Sequence, residues 1–339
     1  MIDWLDLVVS IPHEPFNFGH VLFIKPSGEL DYGIAKSAQV AGSYDSTVRV
    51  RSQGAAGGGL AQELYISGNP SKFLQGHNVF GSQDICLLAS EMVKAIFASL
   101  EFDDDLGIAR VRAGNFDVKR IDITESWAFR SREEVQAVLS ALAIKSRSRL
   151  GRPQTRGGTV YHGMNSRRHT FKFYCKGDEL EAGKKHRLHE TLENSPIKEF
   201  ADNLLRGELT LRSKELKELE LSRGTDLTPE KCNELYAEYF GRIEMAAQAD
   251  IPSEEVMALT RAHRSTYLLW KEGIDVRTMA SKATFFRHRS KLLQLGVDIA
   301  LPCESSDCKI IPLFQTVIGS PVAVPDWAYK SGYVVGGRP

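Results

Sequence analysis

In this sequence of 339 residues we expect no secretory leader, and a long uncharged apolar run is absent. Its first six residues hold two acids, Asp3 and Asp6, where an export signal would carry bases. The five cysteines are odd in number, and Cys303 and Cys308 have no second pair of ligands at zinc spacing. We therefore predict a protein of a reducing cytosol with structural thiols and no membrane partner.

A net charge is also absent, because 43 Lys and Arg balance 43 Asp and Glu. The charge is unevenly distributed, since residues Lys145 to His189 include twelve Lys or Arg against three acids, a local excess of nine. Such an excess in an otherwise balanced chain is expected of a site for a polyanion, and a solvated loop is the alternative.

The pattern of apolar residues predicts an α+β fold. Six short segments alternate apolar and polar residues or are rich in β-branched residues, as strands are. Helix signals lie between them: Ser82 and Ser131 stand at helix starts, and Ser195-Pro196 opens a helix that Gly207 is expected to end. We expect a mostly antiparallel sheet with helices packed on one side. The predicted strands are Val21–Ile24, Thr47–Arg51, Leu64–Ile66, Arg120–Thr124, Phe171–Tyr174 and Glu208–Arg212.

After about residue 218 the pattern changes to helices, with a start at Thr228-Pro229 and another at Ser253. We predict a first domain over residues 1–220 and a helical second domain over residues 221–339, joined by a connector rich in polar residues. The last forty or so residues contain several Pro and Gly and are expected to wrap back onto the body.

Three of the predicted strands carry charged or hydroxyl side chains at one parity and apolar side chains at the other. If these strands are neighbours, two carboxylates and a phenol converge on one surface, as in a metal-dependent phosphoryl-transfer site. The alternative is a solvent-facing side whose acids and bases form weak ion pairs. The residues of this polar face are Arg120, Asp122, Thr124, Lys172, Tyr174, Lys176, Glu208, Thr210 and Arg212.

Tyr174 is the candidate nucleophile on the polar face. The alternation in residues 170–176 places it between Lys172 and Lys176. Two ammonium groups can favour the phenolate and hold an anionic substrate while the phenol oxygen forms a covalent ester.

The loop Asn69–Gly81 joins a strand to a helix through two glycines and a proline. It places His77 and Asn78 near the start of that helix. His77 is a candidate metal ligand or DNA contact, and a structural role is the alternative.

Three parts of the sequence, in one collinear order over roughly residues 60 to 215, carry a resemblance to a known family. They are Lys72–Gly81, Arg120–Asp122, and Ser166-Arg167 leading to Tyr174, Lys176 and Glu179. In these segments the chain resembles the gene II replication initiators of filamentous bacteriophages.

The resemblance implies a strand-specific nicking and joining enzyme of rolling-circle replication, with a Rep/relaxase-like core in the first domain. It implies that Tyr174 becomes linked to a 5′ phosphate and leaves a 3′ hydroxyl that primes synthesis. Tyr161 is the rival nucleophile, because some plasmid initiators place a tyrosine before a similar glycine. The implied partners are double-stranded and single-stranded origin DNA, a host helicase and a host DNA polymerase, in the host cell cytoplasm. A non-catalytic origin-binding protein or repressor is the alternative function.

Many tyrosine nickases hold their metal with a His-hydrophobic-His strand, but no two of the nine histidines here are two residues apart. We therefore predict Mg²⁺ or Mn²⁺ on oxygen-rich ligands. Asp122 and Glu208 are the first candidates, and Glu179 and His77 are the next.

A second DNA-reading element is predicted near the C-terminus. Asp275–Ser281 and Thr284–Leu295 have the length and spacing of a helix-turn-helix. On the second helix, Phe285 and Phe286 share one side, and Arg287 and Lys291 share the opposite side. The residues predicted to contact DNA are Lys145, Arg147, Arg149, Arg152, Arg156, Arg167, Arg168, Arg287 and Lys291.

Overall fold

A nine-stranded antiparallel sheet forms the centre of the structure, which is a computed structural model. It describes residues 1–336 except 17–18, 43, 45, 55–58, 184–185, 246–252, 294, 296, 298 and 301–319. Cys303, Cys308 and the side chains of Lys145 and Arg147 therefore lie outside the described part. The predicted α+β class, with a mostly antiparallel sheet and a helical C-terminal region, is confirmed.

The described residues form thirteen strands and twelve α-helices. The strands are β1 Ile2–His13, β2 His20–Ile24, β3 Leu30–Ala35, β4 Ala38–Ala41, β5 Thr47–Gln53, β6 Ala61–Gly68, β7 Phe116–Ala128, β8 Ser146–Arg147, β9 Gln154–Arg156, β10 Thr159–His162, β11 His169–Cys175, β12 Leu204–Arg212 and β13 Glu244–Met245. The helices are α1 Pro70–Gln75, α2 Ile85–Ser99, α3 Asp105–Arg112, α4 Arg132–Lys145, α5 Lys176–Glu181, α6 Ile197–Asp202, α7 Ser213–Glu218, α8 Pro229–Gly241, α9 Ser253–Ala258, α10 Arg261–Lys271, α11 Lys282–Leu293 and α12 Asp326–Lys330.

The order of strands in the large sheet is β4-β5-β6-β1-β7-β12-β11-β10-β9, and β2 with β3 forms a separate hairpin. The apolar parity of the central strands, such as Ile121 and Ile123 of β7, packs against helices α2, α4 and α8 in one core. Burial of this face drives the assembly, because each strand alternates apolar and polar side chains. The opposite parity is left to form the polar face.

Two helix boundaries differ from the prediction. Helix α2 is capped by Asp84, whose carboxylate accepts from the Leu87 N–H at 2.8 Å, and Ser82 instead accepts from the Asp84 N–H. Gly207 lies inside β12 and ends no helix, because α6 already ends at Asp202. The glycine serves packing, since a Cβ there would lie 2.3 Å from the Tyr236 hydroxyl.

Helices α9, α10 and α11 surround a small core of their own, which includes Tyr267, Trp270, Phe285 and Leu292. The second predicted helix of the helix-turn-helix is confirmed as α11, with Arg287 exposed. Residues 275–281, however, contain only one 3-10 turn, and the preceding α-helix is α10. The connection between α10 and α11 therefore exceeds the three or four residues typical of that motif.

The helix predicted to start at Ser253 is also divided, because α9 ends at Ala258 and α10 begins at Arg261. Phe286, predicted on the apolar side of α11, is 49% exposed because the core lies under Phe285 and His288 instead.

The last described segment, residues 320–336, returns to the large sheet as predicted. The Val322 N–H donates to the Ser126 carbonyl of β7 at 2.8 Å, and Val335 N–H donates to the Gln75 side chain at 3.0 Å. The predicted division at residue 220 stays a prediction; α8 lies beyond it and packs on the sheet through Tyr236 and Tyr239. No helix in the described part of the chain is long and apolar enough to cross a lipid bilayer.

The close approach at Gly207 gives a testable consequence for stability. We expect Gly207→Ala to lower the free energy of unfolding by about 1–3 kcal/mol, because the new methyl group must displace the Tyr236 hydroxyl. Gly241→Ala at the end of α8 is the matched control, since nothing lies within 4 Å of its Cβ position. Urea unfolding monitors both; equal midpoints for the two variants would contradict this packing.

Candidate active site

The three strands predicted to share the polar face are neighbours in the order β7-β12-β11. Glu208 lies opposite Thr124 on one side and opposite Lys172 on the other. Tyr174 lies opposite Arg206, two residues away from the Lys172–Glu208 pair and therefore on the same face. The register therefore brings the predicted carboxylate, ammonium and phenol groups onto one surface.

This surface is not solvated. Asp122 and Glu208 are 1% exposed and Tyr174 is 7% exposed, so the alternative of a solvent-facing side is wrong for the centre of the polar face. Burying a carboxylate is costly unless it is paired or hydrogen-bonded. The partners of these groups therefore define the site.

Glu208 is the acceptor that joins the two predicted catalytic side chains. One carboxylate oxygen lies 2.8 Å from the Lys172 Nζ, and the other accepts from the Tyr174 hydroxyl at 3.2 Å. Burial raises the pKa of Glu208 to about 8, with a smaller opposing effect of Lys172 and further increases from Asp122 and Asp3. A carboxyl group whose pKa lies near neutral pH is suited to exchange a proton.

The environment of Tyr174 differs from the prediction. We expected the lysines to favour the phenolate, but burial and then the charge of Glu208 raise the pKa of Tyr174 well above its usual value. Lys172 lies over the ring, 5.4 Å from its centroid, and its charge is already engaged by Glu208. The phenol is therefore neutral in this conformation, and its hydroxyl donates a hydrogen bond to Glu208.

Lys176 does not share the strand face with Lys172. Strand β11 ends at Cys175, and Lys176 begins helix α5. Its fully buried Nζ donates to the Asn78 side chain at 2.8 Å and pairs with Glu179. The change from strand to helix turns this lysine away from the two-residue alternation.

Asp122 is held by a neighbour on its own strand. The Arg120 guanidinium donates to both of its carboxylate oxygens, at 2.8 and 2.6 Å. Arg120 also lies over the Trp4 ring, 5.3 Å from its centroid. This forked pair is the geometry in which arginine binds carboxylates most strongly.

The loop that carries His77 and Asn78 is fixed by buried polar groups that the sequence reasoning missed. The Asn78 amide donates to Asp3 at 2.8 Å. Arg206, fully buried, donates to the carbonyls of Asn78 and Val79. The sequence does offer a signal for Arg206, because it is an arginine within an apolar strand at the parity of Glu208. No pattern in the sequence around Asp3 indicates that it belongs to the site.

His77 uses both ring nitrogens within the protein. Its Nε2 lies 2.9 Å from the Tyr333 carbonyl, and its Nδ1 accepts from the Val79 N–H at 3.3 Å. Burial lowers the pKa of His77 to about 4. The ring is therefore neutral and ties the loop to the returning C-terminal segment.

The predicted metal ligands do not form a preassembled metal site. Asp122 binds Arg120, Glu208 binds Lys172, and Glu179 binds Lys176 and His186. Among the described residues, no three His, Cys, Asp or Glu side chains are placed to hold a metal ion together. The arrangement does not fit the cation as it stands, and the requirement for Mg²⁺ or Mn²⁺ stays a prediction.

Comparison with known proteins gives the family. The profile of the N-terminal region of the phage replication-associated protein, the gene II protein, matches residues 1–230, and the profile of its C-terminal region matches residues 251–334. The chain belongs to this gene II family. The replication-associated protein of Enterobacteria phage I2-2 is 38% identical over 328 residues, which cover 96% of this chain and 95% of the relative. That of Enterobacteria phage f1 is 24% identical over 316 residues, which cover 77% and 76%.

The predicted resemblance is thereby confirmed, and membership of the gene II family supports a role as a phage replication initiator. The N-terminal profile of the family covers the whole nine-stranded sheet and the polar face.

Tyr161, the alternative candidate nucleophile of this gene II family protein, also lies on the polar face. Tyr161 of β10 is directly opposite Lys172. Arg156 of β9 lies opposite Thr159 at the same parity, so the basic segment borders this edge of the face. Arg149, Arg152 and Arg167 are exposed, and Arg168 is paired with Glu215 and Glu218.

The neutral state of His77 predicts a dependence of stability on pH. Its pKa is lowered from 6.5 to about 4, so unfolding takes up a proton at this residue between those values. The free energy of unfolding should therefore fall as pH decreases from 6.5 towards 4, by roughly 3 kcal/mol at most from this group.

Urea unfolding of the wild type and of His77→Gln over this range measures the effect. The variant should lose less stability on acidification than the wild type. Burial also lowers the pKa of His162 to about 4, and its contribution to the pH dependence should be the same in both proteins. An identical pH dependence of the two proteins would contradict a neutral, buried His77.

Proposed function

We propose that this chain nicks one strand of a double-stranded origin through Tyr174 and later rejoins the displaced strand. The observation that carries the proposal is the shared carboxylate of Glu208, which touches both the Tyr174 hydroxyl and the Lys172 ammonium. A nucleophile within reach of a base that a third group orients is the arrangement of covalent catalysis. Membership of the gene II family supports the assignment to DNA replication.

In the proposed nicking step, the phenol oxygen of Tyr174 forms a bond to phosphorus and the bond from phosphorus to the 3′ oxygen breaks. The phenolic proton passes to the ionised Glu208 carboxylate, and the released 3′ oxygen takes a proton from water. Lys172 keeps its positive charge, because its burial lowers its pKa less than Glu208, Asp122 and Asp3 together raise it. Once Glu208 is protonated, that ammonium is free to neutralise charge on the phosphate.

The products follow from this chemistry. The phosphotyrosine conserves the energy of the broken bond, so the reverse reaction with a 3′ hydroxyl can reseal the strand without ATP. The free 3′ hydroxyl would prime a host polymerase, with a host helicase opening the duplex in the host cell cytoplasm.

The proposed route for the DNA passes the basic edge of the sheet. Arg149, Arg152 and Arg156 are exposed beside β9 and β10, and Arg156 shares the parity of Tyr161. Contacts from these arginines to DNA phosphates would make the affinity for DNA fall steeply as the salt concentration rises. The exposed Arg287 of α11 extends the proposed contacts to the helical region.

The nucleophile is tested with a supercoiled plasmid that carries the origin. We expect Tyr174→Phe to lower the nicking rate by on the order of a thousandfold or more and to abolish covalent attachment of protein to DNA, with origin binding retained. Tyr161→Phe is the matched control and should nick like the wild type. Parallel reactions with Mg²⁺ and with EDTA test the predicted metal requirement.

Nicking that survives in Tyr174→Phe and disappears in Tyr161→Phe would move the role to Tyr161. Tight origin binding by a wild type that never nicks would favour the non-catalytic origin-binding or repressor function instead.

The proposed role of Glu208 predicts a pH profile. Because the carboxylate must be ionised to accept the phenolic proton, the single-turnover nicking rate should rise up to about pH 8, where the pKa of Glu208 lies, and level off above it. Glu208→Gln should lower the rate by roughly 10²–10⁴-fold and remove this dependence. A wild-type rate that stays flat from well below this pKa to well above it would rule out Glu208 as the base.

A further inference from the structure

A groove of about 700 Å³ lies beside the active site, over strands β1, β5 and β6. Its walls come from parts of the chain far apart in sequence, including Tyr44 and Ser46, helix α1 and residues 187–190. The proposed nicking reaction assigns no role to it. The side chains that matter below are Trp4, Tyr44, Arg49, Lys72, Arg187 and His189.

The charge of the groove is positive. Arg49, Lys72 and Arg187 line it, against the single acid Glu190. Arg49 and Arg187 are exposed, and no ion pair joins either of them to another residue in the described ranges. Cations that are not neutralised by neighbours attract a polyanion.

Aromatic rings line the groove beside these basic side chains. Tyr44 and His189 meet edge to face, with 5.6 Å between ring centroids. The Trp4 indole N–H donates to Asp6 at 2.8 Å, and Arg120 covers one side of the ring. Proteins bind single-stranded nucleic acid through aromatic rings held beside basic side chains. The nucleobases stack on the rings, and the phosphates contact the cations.

The groove lies on the same side of the sheet as the active site. Trp4 pairs with Asp122 across β1 and β7, and it shares the parity of the polar face. Strand β11, which carries Tyr174, is three strands from β1, a distance of roughly 14 Å. A DNA strand with its scissile phosphate at Tyr174 therefore reaches the groove within a few nucleotides.

We propose that this groove binds the nicked strand as single-stranded DNA on one side of the scissile phosphate. Arg49, Lys72 and Arg187 contact phosphates, and the rings of Tyr44 and His189 stack with bases. The basic edge at β9 and β10 lies on the other side of Tyr174 in the sheet, so the two surfaces flank the cleavage point. The inference rests on the proposed function for its orientation, but the binding itself requires no catalysis.

Fluorescence anisotropy with a labelled oligothymidylate of about 16 nucleotides tests the groove in the full-length chain. We expect the double variant Arg49→Ala, Arg187→Ala to bind at least tenfold more weakly at low salt. The slope of log K against log salt should fall by about 1.4, because two phosphate contacts on a single strand are lost. Tyr44→Leu should weaken binding roughly tenfold with the salt slope unchanged, because it removes stacking and no charge.

The matched control is the double variant Lys94→Ala, Arg110→Ala. It removes two exposed basic side chains from helices α2 and α3, away from the polar face. It should bind like the wild type. Urea unfolding of every variant shows that the fold is retained. If the groove variant and the control bind equally, or if both lose the same salt slope, the groove does not hold the strand.

The binding assay separates this inference from the proposed function. Loss of binding in the groove variants, with nicking that persists in Tyr174→Phe, would support the groove and overturn the nucleophile. Wild-type binding in the groove variants, with nicking that depends on Tyr174, would overturn the groove alone.

Discussion

The buried carboxylate of Glu208 is the group around which the polar face is organised. A carboxylate that is 1% exposed on a central strand persists only with partners, and β11 supplies both of them, Lys172 and Tyr174. The register between β11 and β12 is therefore constrained twice. On one side the apolar parity must face the helices, and on the other the ammonium and the phenol must reach the same carboxylate. A shift of one residue would lose both.

The same requirement explains the polar network beneath the His77 loop. Arg206 and Lys176 are fully buried cations, and the backbone and side chain of Asn78 accept from them while its amide donates to Asp3. Charges buried this deeply are stabilised by many hydrogen bonds in one arrangement, so the first strand, the loop and the start of α5 are fixed relative to Tyr174. The geometry of the site thus depends on groups to which the proposed reaction assigns no step.

The sequence allowed the polar face to be predicted but not its electrostatics. Alternation in β7, β11 and β12 reports which side chains share a face, because the strand period is two. It cannot report burial of that face, so the pKa of Tyr174 was expected to fall and is raised instead. Lys176 was misplaced because the change from strand to helix at Cys175 interrupts the period. Asp3 and Arg206 act through contacts that lie 75 and 128 residues away in sequence, which no local pattern contains.

Burial of Tyr174 also bears on how DNA could enter. A hydroxyl on a residue only 7% exposed cannot reach a phosphate unless part of its surroundings opens. Arg206, which lies opposite Tyr174, donates to carbonyls of the loop that carries His77. The His77 ring is in turn tied to the Tyr333 carbonyl of the returning C-terminal segment, 256 residues away in sequence. Because that hydrogen bond joins the two parts covered by the N-terminal and C-terminal family profiles, movement of the C-terminal segment would be felt at the loop. The structure therefore links the returning segment, residues 320–336, to the loop held by Arg206 opposite the proposed nucleophile.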